Sequence, residues 1–339
     1  MSGSPRTRPV QPPHPPSYAS EEGSTGSVQK SSDIWFDDGN LIIASEHVYF
    51  RVYKGIITHN SPVFADMVQL PQPRNVEEFE GCPVVRVHDT PTEIMHFLKA
   101  LHDVSYFDLY TTESVEWACF SAVLRLSTKY QVERLRQRAH TLLSNLYPMS
   151  LARWDARDSI TNLESFEARP FAVYLLAKET DLPTILPAAL YLCADSQDIN
   201  YILEGLKSHD GIHIELPWPE KKACIRAREA LSLALRTRMF AFLTGHISFP
   251  GCRSVSTCNG ARLKWLQGVE ASLGSGVFSV SFPWEQLQIS ICEYCFTTSQ
   301  NHHDVERGKL WDELPEMFGL PPWNQLHSNL EYTLAPSLD

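Results

Sequence analysis

Apolar residues mark two short strands near the start of the patterned part of the chain. Residues 41–44 and 47–52 carry strand-type side chains, and Ser45-Glu46 supplies a tight turn between them. From residue 53 the spacing becomes helical. Residues 53–59 read as a short helix. Ser61 then caps a second one with Pro62 at its first position, where a missing amide hydrogen costs little. Residues 69–82 read as a loop. Thr90 caps a helix over 91–102, whose apolar positions Ile94, Phe97, Leu98 and Leu101 share a face. Helices over 114–127 and 131–146 follow. On the latter, Val132, Leu135, Ala139, Leu142 and Leu146 step by three and four residues and form one stripe. Arg134, Arg136, Gln137 and Arg138 take the solvated face.

A boundary falls near Pro148 and residues 155–164. Beyond it the pattern is helical, with no strand alternation. Residues 170–194 hold two short helices broken at Pro183 and Pro187, and 197–207 reads as another. The longest helix is predicted over 219–245, from Pro219 to Gly245 just past its end. Its stripe runs through Ala223, Ala227, Ala230 and Ala234 beside Leu231, Leu235, Met239 and Phe242, small residues that allow close packing. Ahead of all this, residues 1–30 are rich in Pro, Ser, Gly and Thr. They cannot bury enough apolar surface to offset chain entropy and are expected to be a disordered tail.

Composition narrows the classes. At 339 residues, two domains are the natural division. A net charge of -11 argues against a nucleic-acid partner, which needs basic patches for phosphates. No run reaches the roughly 18 apolar residues of a membrane span. The first 30 residues have no apolar core of a secretory signal. Eight cysteines in such a chain suggest an intracellular protein, cytoplasmic or nuclear, with thiols that are free or metal-bound.

Asp33, Leu41, Ile43, Phe50, Val52, Lys54, Ile57, Ser61, Phe64 and Met67, in this order and spacing, resemble the start of a BTB/POZ domain. Residues 85–89 fit that family's third strand, and residues 124–135 its fourth and fifth helices. The arrangement is most similar to the BTB proteins that basidiomycete fungi carry in large numbers, and the tail Trp311–Trp323 resembles that group too. The resemblance covers about a third of the chain. It implies a cluster of helices flanked by short strands that self-associates and recruits protein partners, often cullin-type ubiquitin ligases or transcriptional repressors. A homodimer would then form through the surface around Tyr53, Ile56 and Ile57. Long members carry an extra structured segment ahead of the first core strand, whereas here that region reads as the proline-rich tail. Cullin binding in the family uses an apolar residue two positions before a Glu. Glu93 is the candidate Glu, and Pro91 then stands at the apolar position.

The residues with chemistry to offer are cysteines. Cys252-x5-Cys258 and Cys292-x2-Cys295 present two pairs of soft donors able to surround a tetrahedral zinc ion and clip the last helices together. The first spacing exceeds the usual two to four, and Gly251 with the Ser-rich 253–257 stretch provides its turn. His302 and His303 stand close enough in sequence to replace a cysteine, although His302-His303-Asp304 reads as solvent-facing. No P-loop, G-x-S-x-G elbow or H-E-x-x-H appears. The aromatic and proline-rich stretch 314–323 is expected to fold back and cap the helical domain.

The fold class expected is therefore α+β: a BTB/POZ-like domain over 31–148, with a helical cluster and short strands, followed by an all-α domain over 151–335. The expected function is protein–protein interaction as a scaffold or adaptor, not catalysis. Two alternatives stand beside it, a substrate adaptor for a cullin-type ligase and a cysteine- or zinc-dependent enzyme in the C-terminal half. Four converging buried sulfurs would indicate a structural clip; one exposed thiolate beside a His would indicate catalysis.

Overall fold

The computed structural model describes residues 28–69, 77–108, 114–157, 162–196, 198–208, 211–245, 247–270, 276–278 and 282–326. The expected tail lies outside them except for its last residues. The chain is of the α+β class, a small curled sheet with many helices. Strands β1 (Gln29–Trp35), β2 (Leu41–Ser45), β3 (Val48–Val52), β4 (Glu78–Phe79) and β5 (Cys82–Val87) form one sheet in the order β1-β3-β2-β5-β4. β2 is central and antiparallel to β3, and it runs parallel to β5. That position explains its unbroken apolar run, because a strand covered on both faces has no polar side. Leu41 and Ile43 face the main core with Phe50 and Val52. Ile42 and Ala44 face a smaller cluster with Tyr49 and Cys82, the two-residue alternation of a pleated strand.

β1 departs from expectation. It begins inside the supposed tail, at Gln29, and pairs in parallel with β3. Its sequence is polar except at Ile34 and Trp35, so backbone pairing to an open sheet edge holds it, and no hydrophobic period announces it.

Helices α1 (Lys54–Asn60) and α2 (Pro62–Gln69) follow β3. Ser61 caps α2 as predicted. Its hydroxyl accepts the Phe64 amide at 3.1 Å and donates to the Tyr130 carbonyl at 2.6 Å, which ties this corner to a turn seventy residues on. α3 (Pro91–His102) starts at Thr90 with a capping box closed by Glu93. α4 (Trp117–Lys129) and α5 (Glu133–Leu146) complete the first half, and Leu135, Ala139, Leu142 and Leu146 are buried along the predicted stripe.

The second half continues the same buried core, which is contiguous from Ile34 to Phe318. Helices α6 (Leu151–Ala156), α7 (Arg169–Glu179), α8 (Leu186–Ala194) and α9 (Ile199–Glu204) come first. Pro187 does not break α8; it sits in the first turn, where proline is tolerated. Nor is this half all-α. After α9 the chain turns at Gly205 (φ +78°) into a ribbon of β6 (Leu206–Lys207) and β7 (His213–Ile214). A Cβ at Gly205 would lie 2.5 Å from the Ile214 carbonyl oxygen, so only glycine fits.

The helix expected over 219–245 is three pieces. α10 (Trp218–Ala234) passes through a π-turn at Leu235–Met239 into α11 (Ala241–Thr244), which ends at Gly245 with φ +80°. Ala230 is exposed, while Leu231, Ala234, Leu235, Met239 and Phe242 are buried as expected. α12 (Val255–Glu270), α13 (Trp284–Gln288), α14 (Glu293–Asp312) and α15 (Leu314–Met317) finish the fold. At 20 residues α14 is longer than α10. No helix among the described residues is long and apolar enough to cross a membrane.

The 314–323 stretch folds back as predicted. Trp154, Trp311 and Trp323 form a seam: Trp311 lies 5.0 Å from Trp154 and stacks on Trp323 at 5.8 Å. The indole N–H of Trp311 donates to the Met149 carbonyl at 2.7 Å, and that of Trp323 to the Trp311 carbonyl at 2.8 Å. Trp311→Ala opens a large cavity and leaves the Met149 carbonyl without its donor. The expected loss is about 3–5 kcal/mol of unfolding free energy, read from a urea denaturation curve of the full chain.

Candidate metal centre

Two helix starts bring four sulfurs together. Cys252 sits in a turn closed by its own amide to the Phe249 carbonyl at 3.0 Å. Cys258 lies one turn inside α12, with its amide on the Ser254 carbonyl at 2.9 Å. The wide first spacing thus covers a loop and the first turn of a helix. Cys292 is the N-cap residue of α14, and Cys295 stands in its first turn. Gly251 is required at the crossing: a Cβ there would come within 2.7 Å of the Tyr294 ring.

The four Sγ atoms all lie within 4.8 Å of one another. A tetrahedron of thiolates with Zn–S bonds of about 2.3 Å has sulfur–sulfur edges of about 3.8 Å, so a contraction smaller than one side-chain rotation would bring the set to ligand geometry. Cys258 and Cys295 are buried; Cys252 and Cys292 are partly open. The Cys292 amide donates to Cys258 Sγ at 3.3 Å, an N–H···S contact across the two halves of the site. The amides of Cys295 and Arg253 lie at the Cys292 sulfur and pull its thiol down to about 6. Burial pushes the Cys258 thiol up and the Cys295 thiol up to about 12. Open space flanks the cluster on two sides. One cavity of about 340 Å3 is lined by Cys252 with Leu243, Val255 and Leu263. Another of about 430 Å3 is lined by Cys292 with Gly251 and Thr297.

The histidines named beside the cysteines do not join them. His303 is buried, contrary to the solvent-facing expectation. Its ring lies 5.1 Å from Trp284 and 6.1 Å from Phe240, and burial holds its pKa below the ordinary value. His302 pairs with the Arg238 carbonyl at 2.8 Å. Sequence reasoning missed Arg262, a buried side chain one turn beyond Cys258. Its only linear signal is the four-residue step that puts both on the same side of α12.

The expected interaction surface is only partly a surface. Tyr53 and Ile56 are half-buried, but Ile57 is fully buried in the main core, so it anchors α1 and offers nothing to a partner. The Tyr53 hydroxyl donates to Asp38 Oδ1 at 2.6 Å, and that carboxylate raises the phenol's pKa. Its ring lies 4.8 Å from Phe36. Glu93 caps α3 and pairs with Arg125 at 2.6 Å.

No protein-family model, curated protein or solved structure matches the chain.

The thiol environments set an order of reactivity, because the thiolate is the nucleophile. In metal-free, reduced protein, alkylation by iodoacetamide is expected at Cys292 first. Its rate should rise as pH passes through about 6, while Cys258 and Cys295 stay unmodified up to pH 8. Peptide mass mapping across pH 5–8 reads this directly.

Proposed function

We propose that the chain is a protein–protein interaction protein, a scaffold or adaptor. Its first half works as a BTB/POZ-type module, and its second half is clipped by a structural zinc ion on Cys252, Cys258, Cys292 and Cys295. The observation that carries the zinc reading is the convergence of four thiols from two helix starts. Thiolate is the donor zinc takes in closed, structural sites, and a set of four leaves no coordination position for a substrate. This favours a clip over the enzyme alternative, which calls for an exposed thiolate beside a His.

Support for the module comes from the order of elements. A strand hairpin (β2, β3) leads into a helical hairpin (α1, α2), then a strand parallel to β2, then α3, α4 and α5. This is the succession that the resemblance implies. β1 is a structured strand ahead of β2, beginning where the sequence reading expected the disordered tail. Tyr53, bonded to Asp38, and Ile56 on α1 are half-exposed and form the self-association face in this reading. Because Glu93 is engaged in the α3 cap and the Arg125 pair, the cullin-adaptor alternative gains nothing from it.

Two measurements test the proposal. Elemental analysis of the full chain purified without chelators is expected to give one zinc per chain. Cys258→Ser should lose that zinc, and chelation should lower the melting temperature of the wild type, since metal binding to the folded site adds to stability. A chain free of zinc after refolding with excess metal overturns the zinc reading. Light scattering across a tenfold concentration range is expected to give twice the chain mass, reduced to one by Ile56→Asp. A monomer at every concentration overturns the self-association face.

A further inference from the structure

We infer that Arg262 is the counter-charge of the cysteine cluster, a positioning residue that stabilises metal-bound thiolates from outside the coordination sphere. The inference rests on the zinc reading and goes beyond it by naming what makes the site electrostatically tolerable.

Arg262 is 4% exposed, and an arginine does not lose its proton. A buried cation needs an anion, since leaving water without one is costly. None of the carboxylates of the described residues pairs with it. Its Nη2 donates to the Asn259 side-chain oxygen, a neutral partner, and its Nη1 is buried with no hydrogen-bond acceptor. The guanidinium carbon lies 3.8 Å from the centroid of the Phe249 ring, which shields one side of it.

What remains within reach is sulfur. α12 carries Arg262 one turn past Cys258, on the same side of the helix. Cys252 and Arg262 share the wall of one cavity. The guanidinium neighbours the Cys295 side chain. A divalent ion held by four thiolates leaves two negative charges in a half-buried site. A guanidinium beside it offsets one of them, and its N–H groups supply the outer hydrogen bonds that orient such ligands. A soluble anion entering the cavity is a poorer explanation, because the unpartnered Nη1 is sealed from solvent.

The test compares full-length wild type, Arg262→Met and Arg262→Lys. Zinc affinity is measured by chelator competition, and the cobalt form by its thiolate-to-metal absorption. Arg262→Met is expected to weaken zinc binding roughly 10–100-fold, the usual loss for an outer partner, and Arg262→Lys to restore most of it. Melting temperatures add a readout that a purely structural arginine would not move. The Met substitution should cost more in the zinc-loaded than in the zinc-free protein, since only the loaded cluster is firmly anionic. Should Arg262→Met fail to fold, Arg262→Gln takes its place, with the same loss expected. Unchanged zinc affinity in a charge-free variant, or a Lys variant no better than Met, overturns the inference and leaves the zinc reading standing. A wild type that takes up no metal overturns both.

Discussion

α14 is held at points along its length, and the second half of the fold depends on those points. Its apolar residues do not make a continuous stripe; the buried positions are Cys295, Ser299, His303, Leu310 and Trp311. The four sulfurs meet at its first turn. In the middle, Arg238 from the π-turn reaches Glu306 at 3.0 Å and Glu313 at 2.6 and 2.9 Å. Arg307 crosses to Asp155 at 2.7 Å. At its last turn the Trp311 indole reaches back to Met149. The helix spans about 30 Å, so it braces two regions that have no direct contact: the sulfur site and the tryptophan seam.

In the proposed reading this bracing gives the sulfur site a structural role. Two loops and two helix starts converge there, and neither α12 nor α13 has a broad apolar face. A metal ion at that corner and a buried arginine beside it would do locally what a larger core does elsewhere. The first half needs no such device. Its central strand is covered on both faces, and Ser61 and Thr90 cap helix N-termini with their own side chains.

How much of this was legible in the sequence follows from how each part is stabilised. β2, β3, α3 and α5 are governed by burial of regularly spaced apolar residues, and their bounds could be read to within two residues. β1 and the β6–β7 ribbon are held by backbone pairing, which leaves no trace in side-chain period. Pro187 misled because proline ends a helix only from its interior, not from its first turn. Ile57 was placed on the surface by the resemblance, but successive helical residues point about a hundred degrees apart, and Ile57 turns from Ile56 into the core. The four cysteines were legible as donors because their side chains do little else in pairs. Arg262 and Phe249 were not, because their relation to the sulfurs exists only after α12 has folded over the 249–252 turn.

The bond from Trp311 to Met149 joins residues 162 positions apart. During synthesis the carbonyl at the junction of the two halves therefore emerges from the ribosome long before its donor. The first half can collapse around β2 while still tethered, but the seam on its C-terminal side must stay open until nearly the whole chain has been translated. Contacts of such sequence separation are slow to form. For that interval Trp154 has Arg157 and Tyr191 against its ring but lacks Trp311, so one part of the seam stays open on the nascent chain.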